Sequence, residues 1–131
     1  MNATTEAQQM IVAGEKSFVD STSPANSFAT FFEDDGDTGY FYAVQRRGTD
    51  LSILFALHVY NVRSIPERER PRQLSILWSR DGLKSALLLD GSPRAVFDFA
   101  AKHGYCHSDV PPSREGWNGR EWSDAAMELL A

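Results

Sequence analysis

An acidic run is the first feature of the sequence that could do chemistry. Residues 33–37 read EDDGD and place four carboxylates within five positions. Hard cations bind several oxygen ligands, but an EF-hand loop beginning at Asp35 would need glycine at Tyr40 and glutamate at Arg46. Turn-forming residues also account for this composition, so a plain hairpin turn stays open beside a contact site for a basic partner. The candidate binding residues are Glu33, Asp34, Asp35 and Asp37.

Imidazole and thiolate groups, which are ligands of zinc, cluster later in the chain as His103-x-x-Cys106-His107. A structural zinc site needs a fourth ligand, and Asp98 or Asp109 could supply it, although the spacing demands neither. The alternative is a histidine at the end of a helix followed by a buried cysteine. The candidate metal ligands are His103, Cys106 and His107.

Enzymatic chemistry would draw on the same segment and on the strand before it. Cys106 could act as a nucleophile, but it follows a predicted helix C-terminus, whose partial negative charge opposes thiolate formation. His58 and Tyr60 could serve as acid–base groups in a pocket or could simply pack on a sheet. Phosphate-loop, dinucleotide and nucleophile-elbow motifs are absent from the sequence, and we expect no cofactor.

Composition excludes several broad classes of protein. The chain has 131 residues, a net charge of −5 and 42% hydrophobic residues, which predicts a single folded domain, residues 1–131. Its arginines between Arg63 and Arg72 alternate with glutamates, so nucleic-acid binding is not expected. One cysteine, no signal-peptide pattern and no long apolar run predict a cytoplasmic protein that does not enter membranes.

The elements that must position these side chains begin with strands. Ser27–Val44 is typical of a hairpin closed by the acidic run, and Leu51–Val62 alternates as one long strand. Gln73–Leu89 predicts a second hairpin around a two-residue Asp81-Gly82 turn with positive φ at both positions. This turn pairs Leu74 with Leu89, Ile76 with Leu87 and Trp78 with Ser85.

Helices are predicted only late in the chain. Ser92 is a good N-cap, Pro93 suits the first helical position and Gly104 suits the C-terminal end, which predicts a helix at about 93–103. A short helix is expected at about 124–130, and residues 1–9 are expected to be frayed. The fold class predicted is therefore α+β, with an antiparallel sheet of roughly five strands.

Several segments together are distinctive rather than generic: FEDDGDTGYFYAV, ALHVYNV, WSRDGLKSALLLDGSPRAVFDF and HGYC. From about Ile11 to Leu130 the chain resembles a family of short bacterial proteins, the domain of unknown function numbered twenty-two fifty-one. The resemblance implies a stand-alone bacterial domain. It implies no activity, cofactor or catalytic residue.

Three functions remain open on the sequence. The first is an interaction protein, for example an immunity-like protein, that binds a basic partner through the acidic hairpin tip. The second is a small-molecule or metal-dependent enzyme with a site built from histidine, cysteine and tyrosine side chains. Its residues would be His58, Tyr60, His103, Cys106 and His107. The third is a homodimeric scaffold joined through a sheet face or edge.

Overall fold

Ten strands in two sheets make up most of the computed structural model, which describes residues 3–107 and 110–130. The four-stranded sheet contains, in spatial order, β2 (Ser17–Thr22), β3 (Phe28–Asp34), β4 (Thr38–Arg47) and β5 (Asp50–Asn61). The six-stranded sheet contains, in spatial order, β1 (Thr4–Ile11), β6 (Arg72–Trp78), β7 (Lys84–Leu89), β8 (Ser92–Asp98), β9 (His103–Cys106) and β10 (Asn118–Glu121). Neighbouring strands are antiparallel except β9 and β10.

The two sheets pack face to face because each strand alternates a buried inner face with an outer face. Phe41 of β4 stacks on Phe97 of β8 with ring centroids 5.0 Å apart, and neither side chain is exposed. Leu57, Leu74, Ile76 and Leu87 belong to the same buried cluster. Burial of these apolar side chains is the main stabilising term of the fold.

Two hydrogen bonds between side chains cross the interior from one sheet to the other. Thr30 Oγ1 lies 3.0 Å from Ser85 Oγ, and both residues are fully buried. Trp78 Nε1 donates to Ser21 Oγ at 3.0 Å. Because buried polar groups are costly unless they are paired, these bonds fix how the sheets sit on each other.

The outer faces of the two sheets differ in what covers them. On the six-stranded sheet, Val96 packs against Ala126 and Leu130 of a 3₁₀ helix at Asp124–Leu130. On the four-stranded sheet, Phe18 is 53% exposed and Ile53 is 48% exposed. No helix within residues 3–107 or 110–130 lies over that second face.

The predicted fold class was wrong: the chain is mostly β, with two sheets instead of an α+β sheet of roughly five strands. The helix predicted at about 93–103 is instead strand β8, a turn and strand β9. Val96 points outward under the C-terminal helix, whereas Ala95 and Phe97 point into the interior. Three consecutive buried residues therefore reflect a strand covered on both faces.

The cause of this error is a turn that the sequence also carries. Asp90 and Gly91 adopt positive φ of 51° and 78°, and Leu89 pairs directly with Ser92. This is a two-residue Asp-Gly hairpin loop, whose twist matches that of the flanking strands. The capping signal at Ser92-Pro93 competes with it, and the hairpin wins because β8 completes a buried sheet. Pro93 lies outside the β8 residues that pair with β9, where its missing N–H is tolerated.

Two smaller expectations were also wrong. Residues 1–9 were expected to be frayed, but Thr4–Ile11 forms β1 and pairs with β6; residues 1 and 2 lie outside the described part. At Asp81-Gly82 only the glycine has positive φ, at 71°, because Gly82 N closes a turn on the carbonyl of Ser79.

The strands of both predicted hairpins, and the long strand between them, lie where expected. The register of β6 and β7 follows the prediction, with Leu74 opposite Leu89 and Trp78 opposite Ser85. A helix of the 3₁₀ type occupies residues 124–130. None of the helices within the described ranges is long and apolar enough to cross a membrane.

Candidate functional site

Asp34 of the acidic run points into the protein interior. The residue is 1% exposed, and its Oδ2 accepts hydrogen bonds from the Tyr60 hydroxyl at 2.7 Å and the Gly14 amide at 2.9 Å. Its Oδ1 accepts from the Gly36 amide at 2.8 Å. Burial, together with the hydrogen bond to Asp34, raises the pKa of Tyr60 well above its ordinary range, so the phenol remains a donor. Asp34 therefore joins three segments and is not available to a partner.

Asp35 closes the turn between β3 and β4. Its Oδ1 accepts hydrogen bonds from the amides of Asp37 and Thr38, both at 2.9 Å. These two amide donors lower the pKa of Asp35, which lies in solvent. The carboxylate thus stays ionised at the tip of the hairpin, and its other oxygen is open to a ligand.

Glu33 lines a cleft of about 390 Å³, which we call the acidic cleft. Its Oε1 accepts a hydrogen bond from the Tyr42 hydroxyl at 2.9 Å. Burial of Tyr42 and this bond to Glu33 raise the pKa of the phenol. The acidic cleft is lined by Lys16, Ser17, Phe18, Glu33, Asp34 and Asp35.

Asp37 faces a different cleft, of about 350 Å³, which we call the arginine cleft. Its backbone carbonyl accepts a hydrogen bond from Val62 N at 2.9 Å, so the hairpin turn is tied to the segment after β5. The arginine cleft is lined by Gly36, Asp37, Thr38, Asn61, Val62, Arg63 and Arg68. The acidic run is therefore divided between two clefts, with Glu33, Asp34 and Asp35 at the acidic cleft and Asp37 at the arginine cleft.

Next to the acidic cleft lies an aromatic surface on the uncovered side of the four-stranded sheet. We call it the aromatic face and define it by Phe18, Phe31, Tyr40 and Tyr42. Phe18 meets Phe31 edge-on with centroids 5.1 Å apart, and Tyr40 stacks on Tyr42 at 5.9 Å. Arg46 lies over the Phe31 ring, 5.4 Å from its centroid, and pairs with Asp20 at 3.1 Å.

The structure does not bring the candidate metal ligands together. Since residues three apart on a strand point to opposite faces, Cys106 is buried between the sheets whereas His103 lies on the outer side of β9. The ring of His103 lies 3.2 Å from a nitrogen of Arg120, and His107 stacks on Trp122 at 4.5 Å. These three side chains therefore do not form one coordination set.

The possible fourth ligands do not complete the set. Asp98 Oδ1 accepts hydrogen bonds from the amides of Ala100 and Ala101, both at 3.1 Å, and so shapes the turn before β9. Asp109 lies outside the described residues. Within residues 3–107 and 110–130, no three His, Cys, Asp or Glu side chains are grouped so that they could hold a metal.

The candidate acid–base residues are also separated. His58 lies beside Tyr40 on the outer side of β5, with ring centroids 5.9 Å apart and its Nε2 3.1 Å from Asn61 Oδ1. Tyr60 points into the interior because Val59 is an extra residue in the β4–β5 pairing. His58 thus lies on the outer face of the four-stranded sheet, His103 lies on the outer face of the six-stranded sheet, and Cys106 is buried between the sheets, so no common pocket contains them.

Sequence reasoning missed the residues that border both clefts. Phe18 lies in β2, and the signal that could have found it is the apolar pair Phe18-Val19 between Ser17 and the acidic Asp20. For Arg63 and Arg68 the sequence indicated only that nucleic-acid binding is not expected. Their position beside the hairpin turn is what distinguishes these two arginines from the other arginines of the loop.

These features define a mostly-β domain of two stacked sheets with an acidic cleft, an arginine cleft and an open aromatic face. The chain belongs to the bacterial family described as "Uncharacterized protein conserved in bacteria (DUF2251)", which matches residues 11–131. A relative from Haemophilus influenzae, described as an uncharacterized protein, is 48% identical over 84 residues. That match covers 64% of this chain and 52% of the relative, about half of its length. No solved structure matches the chain.

Proposed function

We propose that this chain is a protein-binding domain and that its binding surface is the aromatic face together with the acidic cleft. The partner would be a protein segment that combines basic and apolar side chains. An immunity-like protein that neutralises a basic toxin would be one example. The proposal keeps Glu33 and Asp35 as partner contacts and assigns Asp34 a structural role.

The observation that carries the proposal is the exposure of Phe18 beside two carboxylates. Phe18 is 53% exposed and lines the acidic cleft with Glu33 and Asp35. A lysine or arginine of a partner could lay its aliphatic stem on the phenyl ring and direct its charge to the carboxylates. Aromatic side chains are enriched in protein interfaces because they bury a large area at a small entropic cost.

Charge favours a basic partner over a neutral one. The chain has a net charge of −5, and the tip carboxylate of Asp35 is held in its ionised form by two amide donors. Lys16 is the basic residue that also lines the acidic cleft. Opposite charges would speed association and make its rate depend on salt concentration.

Site-specific photo-crosslinking in the bacterial host tests this proposal. A benzophenone amino acid is placed at Phe18, with the same probe at exposed Glu121 of β10 on the other sheet as the matched control. A single adduct with a basic protein is expected from position 18. It should be lost in high salt and in a Glu33→Gln/Asp35→Asn variant. Adducts of the same mass from both positions, or an adduct insensitive to salt, would contradict the proposal.

The same experiment distinguishes the proposed basic partner from the alternative, a homodimeric scaffold. An adduct with twice the mass of this chain, accompanied by a dimer in size-exclusion chromatography with light scattering, would replace the basic partner with a second copy. The open face of the four-stranded sheet is the feature that favours this alternative.

A further inference from the structure

We infer that the arginine cleft binds a small α-amino dicarboxylate, a molecule with two carboxylates and one ammonium group. This inference uses a site separate from the aromatic face and does not rest on the proposed function. It follows from the side chains that line the cleft, from their lack of internal partners and from the anchoring of the surrounding loop.

The cleft contains charged groups that the protein leaves unpaired. The side chains of Arg63, Arg68 and Asp37 form no hydrogen bond or ion pair with any residue in 3–107 or 110–130. By contrast, Arg70 of the same loop pairs with Asp90 at 3.3 Å. Both arginines are exposed and line the cleft, and guanidinium groups without an internal partner are available to bind carboxylate or phosphate.

The loop that carries Arg68 is held in place rather than free. Buried Arg72 donates a hydrogen bond to the carbonyl of Pro66, and Arg70 N donates to the carbonyl of Glu67 at 2.9 Å. Ile65 N closes the 3₁₀ turn on Val62 at 3.1 Å. Pre-organised side chains lose less entropy on binding, so this anchoring favours a binding site.

The charges in the cleft select the class of ligand. Two arginines and one aspartate line the cleft, so a ligand of complementary charge has two negative groups and one positive group. The Asn61 side chain bonds His58 through its oxygen, which leaves the amide NH₂ to donate to a ligand. A volume of about 350 Å³ lies within the range of small-molecule sites and suits a ligand the size of an amino acid.

Titration with L-glutamate, followed by NMR of the backbone amides, tests the inference. The comparison ligands are glutarate, which lacks the ammonium group, and inorganic phosphate. We expect saturable shifts confined to the hairpin turn and residues 61–68. Arg68→Gln should weaken binding by about tenfold or more, whereas Arg80→Gln, an exposed arginine in the β6–β7 loop, should not.

Asp37→Asn gives the second readout. It should weaken binding of L-glutamate but not of glutarate, because only the first ligand presents an ammonium group to this carboxylate. Absence of saturable shifts at millimolar ligand would overturn the inference, as would equal binding of phosphate and L-glutamate. Equal effects of Asp37→Asn on both dicarboxylates would overturn it too. Phe18→Ala should leave this binding unchanged, which keeps failure of this site distinguishable from failure of the proposed function.

Discussion

Replacement of Asp34 by asparagine tests the structural role that separates this residue from its acidic neighbours. The two carboxylate oxygens accept from three donors, the Tyr60 hydroxyl, the Gly14 amide and the Gly36 amide. An asparagine keeps the shape but offers one oxygen and one NH₂ group. Whichever way the amide turns, its NH₂ group faces at least one of these donors.

The free energy of unfolding should fall by about 2–4 kcal/mol in Asp34→Asn. One buried donor loses its acceptor, and the remaining bonds lose the strength that the carboxylate charge adds. Relief from burying a charge offsets part of this loss. Tyr60→Phe should cost less, about 1–2 kcal/mol, because Asp34 then keeps both of its amide donors.

Urea unfolding followed by tryptophan fluorescence measures these changes, since three tryptophans report on the fold. The matched control is Asp35→Asn, one residue along the chain, in which the amide oxygen can still accept from Asp37 and Thr38. It should stay within about 0.5 kcal/mol of wild type. If Asp34→Asn were no less stable than Asp35→Asn, with equal dependence on urea, the assignment of Asp34 to the interior would be refuted.

Two further predictions concern polar pairs. Thr30→Val and Ser85→Ala should each lower the free energy of unfolding by about 1–3 kcal/mol, because one buried hydroxyl is left unpaired. The double variant should lose less than the sum of the two single losses. Additive losses in urea unfolding would exclude the hydrogen bond between the sheets. Hydrogen bonds from Ser79 and Leu83 hold the pKa of Asp81 at about 2, below its ordinary 3.8. The stabilisation that comes from this lowered pKa is complete above pH 3.8 and is lost as the pH falls through 2. Asp81→Asn should therefore make the urea midpoint depend less on pH in this acidic range. An unchanged pH dependence of the urea midpoint would contradict this prediction.

How far sequence predicted the fold depended on whether local signals agreed. In β6 and β7 the period-two alternation and the turn residues indicated one register, and Leu74 does lie opposite Leu89. Around Ser92 two local signals conflicted, a helix cap and the Asp90-Gly91 turn. The outcome depended on β8 being covered on both faces, a property of the packed sheets that no local pattern reports.

The candidate sites were predicted less well than the strands, because their prediction depended on the fold. On a helix end, His103 and Cys106 could face the same ligand, but on a strand their spacing points them to opposite sides. The turn of the first hairpin was predicted within the acidic run and lies there, at residues 35–37, whereas Glu33 and Asp34 end β3. The division of the acidic run among the interior, two clefts and solvent follows from Tyr60 and the Gly14 turn, which come from distant segments.

Sequence alone determined the positions of the two hairpins, the long strand and the acidic turn, because alternation and turn propensity are local properties of the chain. Tertiary structure decided that β8 and β9 are strands, that Asp34 is buried, and that Phe18 and the two arginines border open clefts. These outcomes depend on which surfaces the second sheet and the C-terminal helix cover, and burial of apolar area between distant segments outweighs local preference.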